Sequence, residues 1–96
     1  MKRDDIIELL SEHRESLERF EVESLAIFGS VARGESEEGS DLDVLVEFKG
    51  KATFDSYMDL KLFLEELLGC EVDLVTRKAL RPRMRPYVER DAVYVA

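Results

Sequence analysis

A Gly29-Ser30 pair closes the short apolar run Leu25-Ala-Ile-Phe28, and ten residues later the triplet Asp41-Leu42-Asp43 opens a second apolar run. Glycine lets a backbone approach a ligand closely, and a helix that starts after it aims free N–H groups outward, the usual grip on phosphate. Ser30 adds a hydroxyl donor. Side chains two apart on a strand share a face, so Asp41 and Asp43 project together while Leu42 goes to the opposite side. Two carboxylates held that close repel unless a cation or a proton relieves them. Hard oxygen ligands suit Mg²⁺, which is held by a few carboxylates together with waters and substrate phosphates. A third carboxylate, Asp73, lies in the middle of a later alternating run, Glu71-Val-Asp-Leu-Val75. If that run pairs beside the second, Asp73 completes the set. Two ions roughly 3.5–4 Å apart would then support in-line attack on the α-phosphate of a nucleoside triphosphate.

Several elements must position these groups. Apolar residues at Ile6, Ile7, Leu9, Leu10, Leu17 and Phe20 predict a helix from Asp4 to about Phe20, with Asp4 and Asp5 at its favourable end. Leu25–Phe28 has strand length, and Ser30 to Gly34 reads as a short helix stopped by Gly34. Leu42, Val44 and Val46 alternate with Asp43, Leu45 and Glu47 as a second strand, broken by Gly50. Phe54 to Leu68 is a well-packed helix closed by Gly69, and Glu71–Val75 is the third strand. A last helix runs from Pro82 to about Arg90, and Ala92–Val95 is a short edge strand. The alternation of helices and strands predicts an α/β (α+β) fold: a small mixed sheet of three to four strands with helices packed on it, over residues 1–96 as a single domain.

Composition narrows the setting. The chain has 96 residues, 45% hydrophobic and 38% charged, as suits a folded, soluble protein. A chain this size buries only about 60–65% of its unfolded surface, leaving room for one core and one site at its edge. No apolar run reaches the length of a membrane span, and Met-Lys-Arg-Asp-Asp is not a signal sequence. A lone Cys70 excludes an internal disulfide and fits the reducing cytoplasm. The net charge of −8 argues against gripping long nucleic acid. One segment departs from it: Arg77, Lys78, Arg81, Arg83, Arg85 and Arg90 are opposed there only by Glu89. It reads either as a solvated surface or as a patch for triphosphate, nucleic acid or an acidic partner.

The Gly-Ser pair followed after ten residues by Asp-x-Asp resembles the nucleotidyltransferase signature of the DNA polymerase β-like superfamily. Arg33-Gly34 and the Val-Asp-Leu-Val strand around Asp73 extend the match. Over nearly the whole chain, including Arg-Pro-Arg-Met-Arg-Pro-Tyr near the end, the sequence is similar to the minimal nucleotidyltransferases, MntA-like antitoxins paired with a HEPN-domain ribonuclease toxin. The resemblance implies that Asp41 and Asp43 bind two Mg²⁺ ions, that Asp73 binds one of them and acts as base, and that Gly29 and Ser30 hold the triphosphate of ATP. It further implies transfer of AMP to a tyrosine of the toxin, silencing it. The chain lacks the extra helical or RNA-binding region of the aminoglycoside-modifying and poly(A)-adding relatives, so a partner is expected to bring the acceptor.

Other residues carry weaker readings. Arg33 stands one turn after Ser30, between a phosphate contact and a solvated charge. His13 is expected at the surface, Cys70 as a buried thiol, and Tyr57, Tyr87 and Tyr94 as packing residues. Two other functions fit the chain: a non-enzymatic antitoxin that masks its partner, and a free-standing transferase acting on RNA or a small hydroxyl compound.

Overall fold

Apolar residues at every second position make β2 (Leu42–Phe48) the spine of the sheet. Leu42, Val44 and Val46 enter the main core on one face, while Leu45 enters a smaller cluster on the other. The computed structural model describes residues 2–35 and 41–96. Its chain order is α1 (Arg3–Glu12), α2 (Arg14–Arg19), β1 (Val22–Phe28), α3 (Gly29–Ala32), β2, α4 (Phe54–Leu68), β3 (Val72–Thr76), two 3₁₀ turns (Arg77–Ala79 and Pro82–Met84), α5 (Arg85–Asp91) and β4 (Val93–Tyr94). The four strands are ordered β3-β2-β1-β4. β2 is antiparallel to β1 and parallel to β3, and β4 is antiparallel to β1. The mixed sheet with helices on it is the expected fold class.

The two faces are unequal. Ile6 and Leu10 of α1, Leu17 of α2, and Leu60, Leu64 and Leu68 of α4 bury the main core against Leu25, Ile27, Val44, Val46 and Val72. Among the described residues the opposite face carries a smaller cluster, Val88 of α5 over Ala26 and Leu45, with Phe28, Val75, Leu80 and Ala92 packed alongside. Among the described residues no helix is long and apolar enough to cross a membrane.

Local chemistry explains the boundaries. α4 begins and ends where the sequence predicts. Thr53 caps it: its hydroxyl accepts from the Ser56 N–H at 3.0 Å, and the Ser56 hydroxyl accepts from the Thr53 N–H at 2.9 Å. Gly69 ends it in the left-handed region at φ 68°. Thr53→Ala is expected to lower stability by about 1 kcal/mol in urea titration and to leave catalysis untouched.

The single N-terminal helix expected from Asp4 to Phe20 is instead two helices that break at His13 (φ −105°, ψ 25°). No apolar side chain lies between Leu10 and Leu17, so no core contact keeps that stretch in one continuous helix. The half-buried His13 ring meets the Leu9 carbonyl at 2.9 Å through Nδ1, on the turn before the break. β1 starts at Val22 rather than Leu25, because an irregularity between Val22 and Ser24 lets Val22 pair with Phe48. Pro82 starts a 3₁₀ turn, and α5 proper begins at Arg85 with Pro86 in its first turn.

Candidate active site

Strand register brings the predicted carboxylates together. Parallel pairing sets Asp43 of β2 opposite Asp73 of β3, and antiparallel pairing sets Phe28 of β1 opposite Asp43 on its other side. Residues opposite each other in a sheet share a face, so Asp43 and Asp73 project from the side that carries Leu45, Val75 and α5. Asp41 lies two residues before Asp43 and is exposed, as is Asp73; Asp43 is half-buried. Leu42 turns away into the main core, as its place in the triplet predicts.

The electrostatics of Asp43 follow from this crowding. Its carboxyl is pushed up to about 6, first by burial, then by the charges of Asp73 and Asp41 and by hydrogen bonding with Asp73; Arg33 pulls the other way. Oxygen donors that repel one another in this manner fit a hard divalent cation. Among the described residues no three His, Cys, Asp or Glu side chains already stand at the spacing of a metal cage.

Gly29 plays a more specific part than the sequence conveys. Its φ is +73°, and a Cβ placed on it would fall into the Asp43 carboxylate, with the Asp43 Cγ at 3.1 Å. The glycine therefore clears space for Asp43 as well as letting the chain turn from β1 into α3. Ser30 follows it, half-buried in the one-turn helix α3, whose N-terminus has no side-chain cap. Its first amides are without partners inside the helix. Gly29→Ala is expected to destabilise the protein by about 1–3 kcal/mol and to abolish turnover, because the methyl group displaces Asp43. Melting curves and a transferase assay read the two effects separately.

Arg33 is committed elsewhere. Its Nε donates to Glu35 at 3.0 Å, and a terminal guanidinium nitrogen donates to Asp91 at 2.8 Å, tying the end of α3 to the end of α5. Both acids, Glu35 foremost, raise the Arg33 pKa, while the hydrogen bond from Arg33 lowers that of Asp91. The basic segment is likewise partly neutralised by residues distant in sequence. Arg77 pairs with Glu89 at 2.5 Å and with Glu47 at 3.8 Å, and also contacts the Tyr94 hydroxyl. Arg90 lies 5.5 Å from the centre of the Tyr87 ring. Tyr87 and Tyr94 are 57% and 47% exposed, so they are not the packing residues the sequence suggests. Cys70 is only half-buried, and burial pushes its thiol up.

Sequence reading missed Lys61 and Glu65 of α4 and took Tyr57 for a packing residue alone. Tyr57, Lys61 and Glu65, each four residues from the next, reach the backbone of β3 on either side of Asp73. Their even spacing was the available signal.

The nucleotidyltransferase domain model matches residues 10–95. The chain belongs to the nucleotidyltransferase domain family. It is similar to a candidate protein adenylyltransferase of Methanocaldococcus jannaschii, 41% identical over 95% of both chains. It is also 40% identical to Protein adenylyltransferase MntA of Thermococcus cleftensis, over 96% of this chain and 94% of the relative. Among solved structures, a candidate minimal nucleotidyltransferase superimposes with a TM-score of 0.84 at 40% identity, covering 97% of this chain and 95% of that one. A more distant structure, a tri-AMPylated Shewanella oneidensis HEPN toxin in complex with an MNT antitoxin, gives a TM-score of 0.68 at 17% identity over 94% and 71% of the two chains. This minimal nucleotidyltransferase is thus an enzyme of a family whose fold it shares along almost its entire length.

Proposed function

We propose that this chain transfers AMP from ATP to a tyrosine hydroxyl of a HEPN-domain toxin, and so acts as an antitoxin. The observation that carries the reading is the pairing of Asp43 with Asp73 beside the Gly29 turn, in a chain 40% identical to a relative named as a protein adenylyltransferase. The HEPN partner and the AMP group of the Shewanella complex support the choice of acceptor. We read residues 1–96 as one domain that works in the cytoplasm.

In this mechanism Gly29 and Ser30 bind the triphosphate through backbone amides and a hydroxyl. Arg33 adds positive charge behind them from its tie to Asp91. Asp41, Asp43 and Asp73 would hold two Mg²⁺ ions, which supply charge neutralisation on the phosphates. Asp73 takes the proton from the acceptor hydroxyl. The new O–P bond forms at the α-phosphorus while the bond to the bridging oxygen breaks, and pyrophosphate leaves with that electron pair. Incubation with labelled ATP, Mg²⁺ and a HEPN-domain toxin from the same organism should put label on a partner tyrosine. An unlabelled partner ends the reading.

A second reading, masking without chemistry, draws on the exposed Met84 and Tyr87 among Arg81, Arg83 and Arg85. It predicts that the combined Asp41→Asn and Asp43→Asn variant still protects cells from the toxin, whereas the enzymatic reading predicts loss of protection.

A further inference from the structure

We propose that Tyr57, Lys61 and Glu65 of α4 are positioning residues that fix Asp73 against Asp43. The inference rests on the reading of Asp73 as a member of the active site. β3 is an edge strand of five residues, paired only with β2. An edge strand leaves every second residue's N–H and C=O without a partner in the sheet, and such groups need partners from elsewhere. In β3 these groups belong to Val72 and Leu74, the two neighbours of Asp73. The Glu71 carbonyl on the alternate register accepts from Leu42 at 3.0 Å, which marks the side facing β2.

The stripe on α4 supplies partners for three of these four groups. The Val72 N–H donates to Glu65 Oε2 at 3.0 Å, Lys61 Nζ donates to the Val72 carbonyl at 2.8 Å, and the Tyr57 hydroxyl donates to the Leu74 carbonyl at 2.5 Å. Lys61 and Glu65 also pair with each other at 3.0 Å, which holds both side chains in place. Four helical residues rise about 6 Å and two strand residues about 6.6 Å, so the stripe stays in step with the strand. Asp73 thus stands on the register that faces β2, between two residues whose backbone is fastened on the outer side by α4.

Fastening of this kind has a catalytic consequence. Asp73 is exposed and sits on a strand at the edge of the sheet, so its place relative to Asp43 depends on how firmly β3 is held. A displacement of about 1 Å at a reacting group lowers turnover by as much as a hundredfold. Merely structural contacts would lower the melting temperature and leave the rate of the folded enzyme unchanged.

The test compares Tyr57→Phe, Lys61→Met, Lys61→Arg, Asp73→Asn and the control Glu66→Gln in the full chain, well below their melting temperatures. AMP transfer to a HEPN-domain toxin from the same organism is measured, together with amide spectra of the metal-free proteins. Tyr57→Phe and Lys61→Met should lower kcat on the order of tenfold to a hundredfold with little change in KM for ATP. Lys61→Arg should recover most of the rate and Glu66→Gln should match the parent. In the spectra, the Asp73 resonances should move in Lys61→Met and return in Lys61→Arg. If Asp73→Asn is inactive while Tyr57→Phe and Lys61→Met keep the parental kcat, positioning is overturned and the role of Asp73 stands. If Asp73→Asn turns over normally, the reading of Asp73 itself fails. Unmoved Asp73 resonances in Lys61→Met overturn the inference whatever the transfer assay gives.

Discussion

Asp43→Asn is expected to remove AMP transfer almost completely while making the metal-free protein more stable at neutral pH. The two effects have one cause. Asp43 is half-buried between β1 and β3, next to Asp73 and near Asp41, and its carboxyl titrates at about 6 instead of 3.8. Between those values the folded protein keeps a proton that the unfolded chain has already released. The group therefore favours folding most below about pH 4, and its contribution is lost as pH rises through about 6. Above that, the ionised carboxylate opposes folding by about 1 kcal/mol once solvent screening at the half-open site is allowed for. Asn keeps the shape and removes the charge, so in chelator its melting temperature should exceed the parent's at about pH 7.5, and the gap should shrink through about pH 5 and close below about pH 4. With Mg²⁺ present the order should reverse, because only the parent gains from binding a cation. Turnover should fall on the order of a thousandfold or more, since charge neutralisation on a transferring phosphate is worth several kcal/mol. An Asn variant that melts below the parent in chelator would mean that favourable contacts, not repulsion, dominate around Asp43.

Much of this site was legible in the sequence because its parts are local. Leu42, Val44 and Val46 alternate cleanly, so the facing of Asp41 and Asp43 follows from the strand period alone. Thr53 and Gly69 mark the ends of α4 by side-chain chemistry that needs no tertiary partner. What stayed hidden depends on residues far apart in the chain. That Asp73 meets Asp43 rests on the parallel register of β2 and β3, which no local pattern specifies. Asp91, the partner of Arg33, and Glu47, a partner of Arg77, lie on separate elements, so neither pairing is visible in the local sequence. Gly29 reads as a turn residue; only the packed sheet places the Asp43 carboxylate where its side chain would be. The break at His13 escaped notice because Leu10 and Leu17 keep helical spacing across a stretch that does not stay helical.

Leu64→Ala is expected to remove a large share of the total stability and to reach the active site through the same helix. Leu64 is fully buried in the middle of α4, between Leu60 and Leu68, on the face turned to the sheet. Cutting it to alanine leaves a cavity that the surrounding side chains cannot close, at about 2–5 kcal/mol. A domain of this length holds roughly 5–14 kcal/mol in all, so the urea midpoint should fall by about a third with little change in slope. The same helix carries two stripes: Leu60, Leu64 and Leu68 press on the core, while Tyr57, Lys61 and Glu65 hold β3. Loosening the first therefore loosens the second. At a temperature where the variant is still folded, its amides at Val72 and Leu74 should exchange faster than in the parent, and its turnover should drop with them. The Thr53→Ala variant, which frays only the start of α4, provides the contrast: a smaller loss of stability, with exchange at Val72 unchanged. Equal exchange at Val72 in Leu64→Ala and the parent would show that β3 is held independently of the core beneath α4.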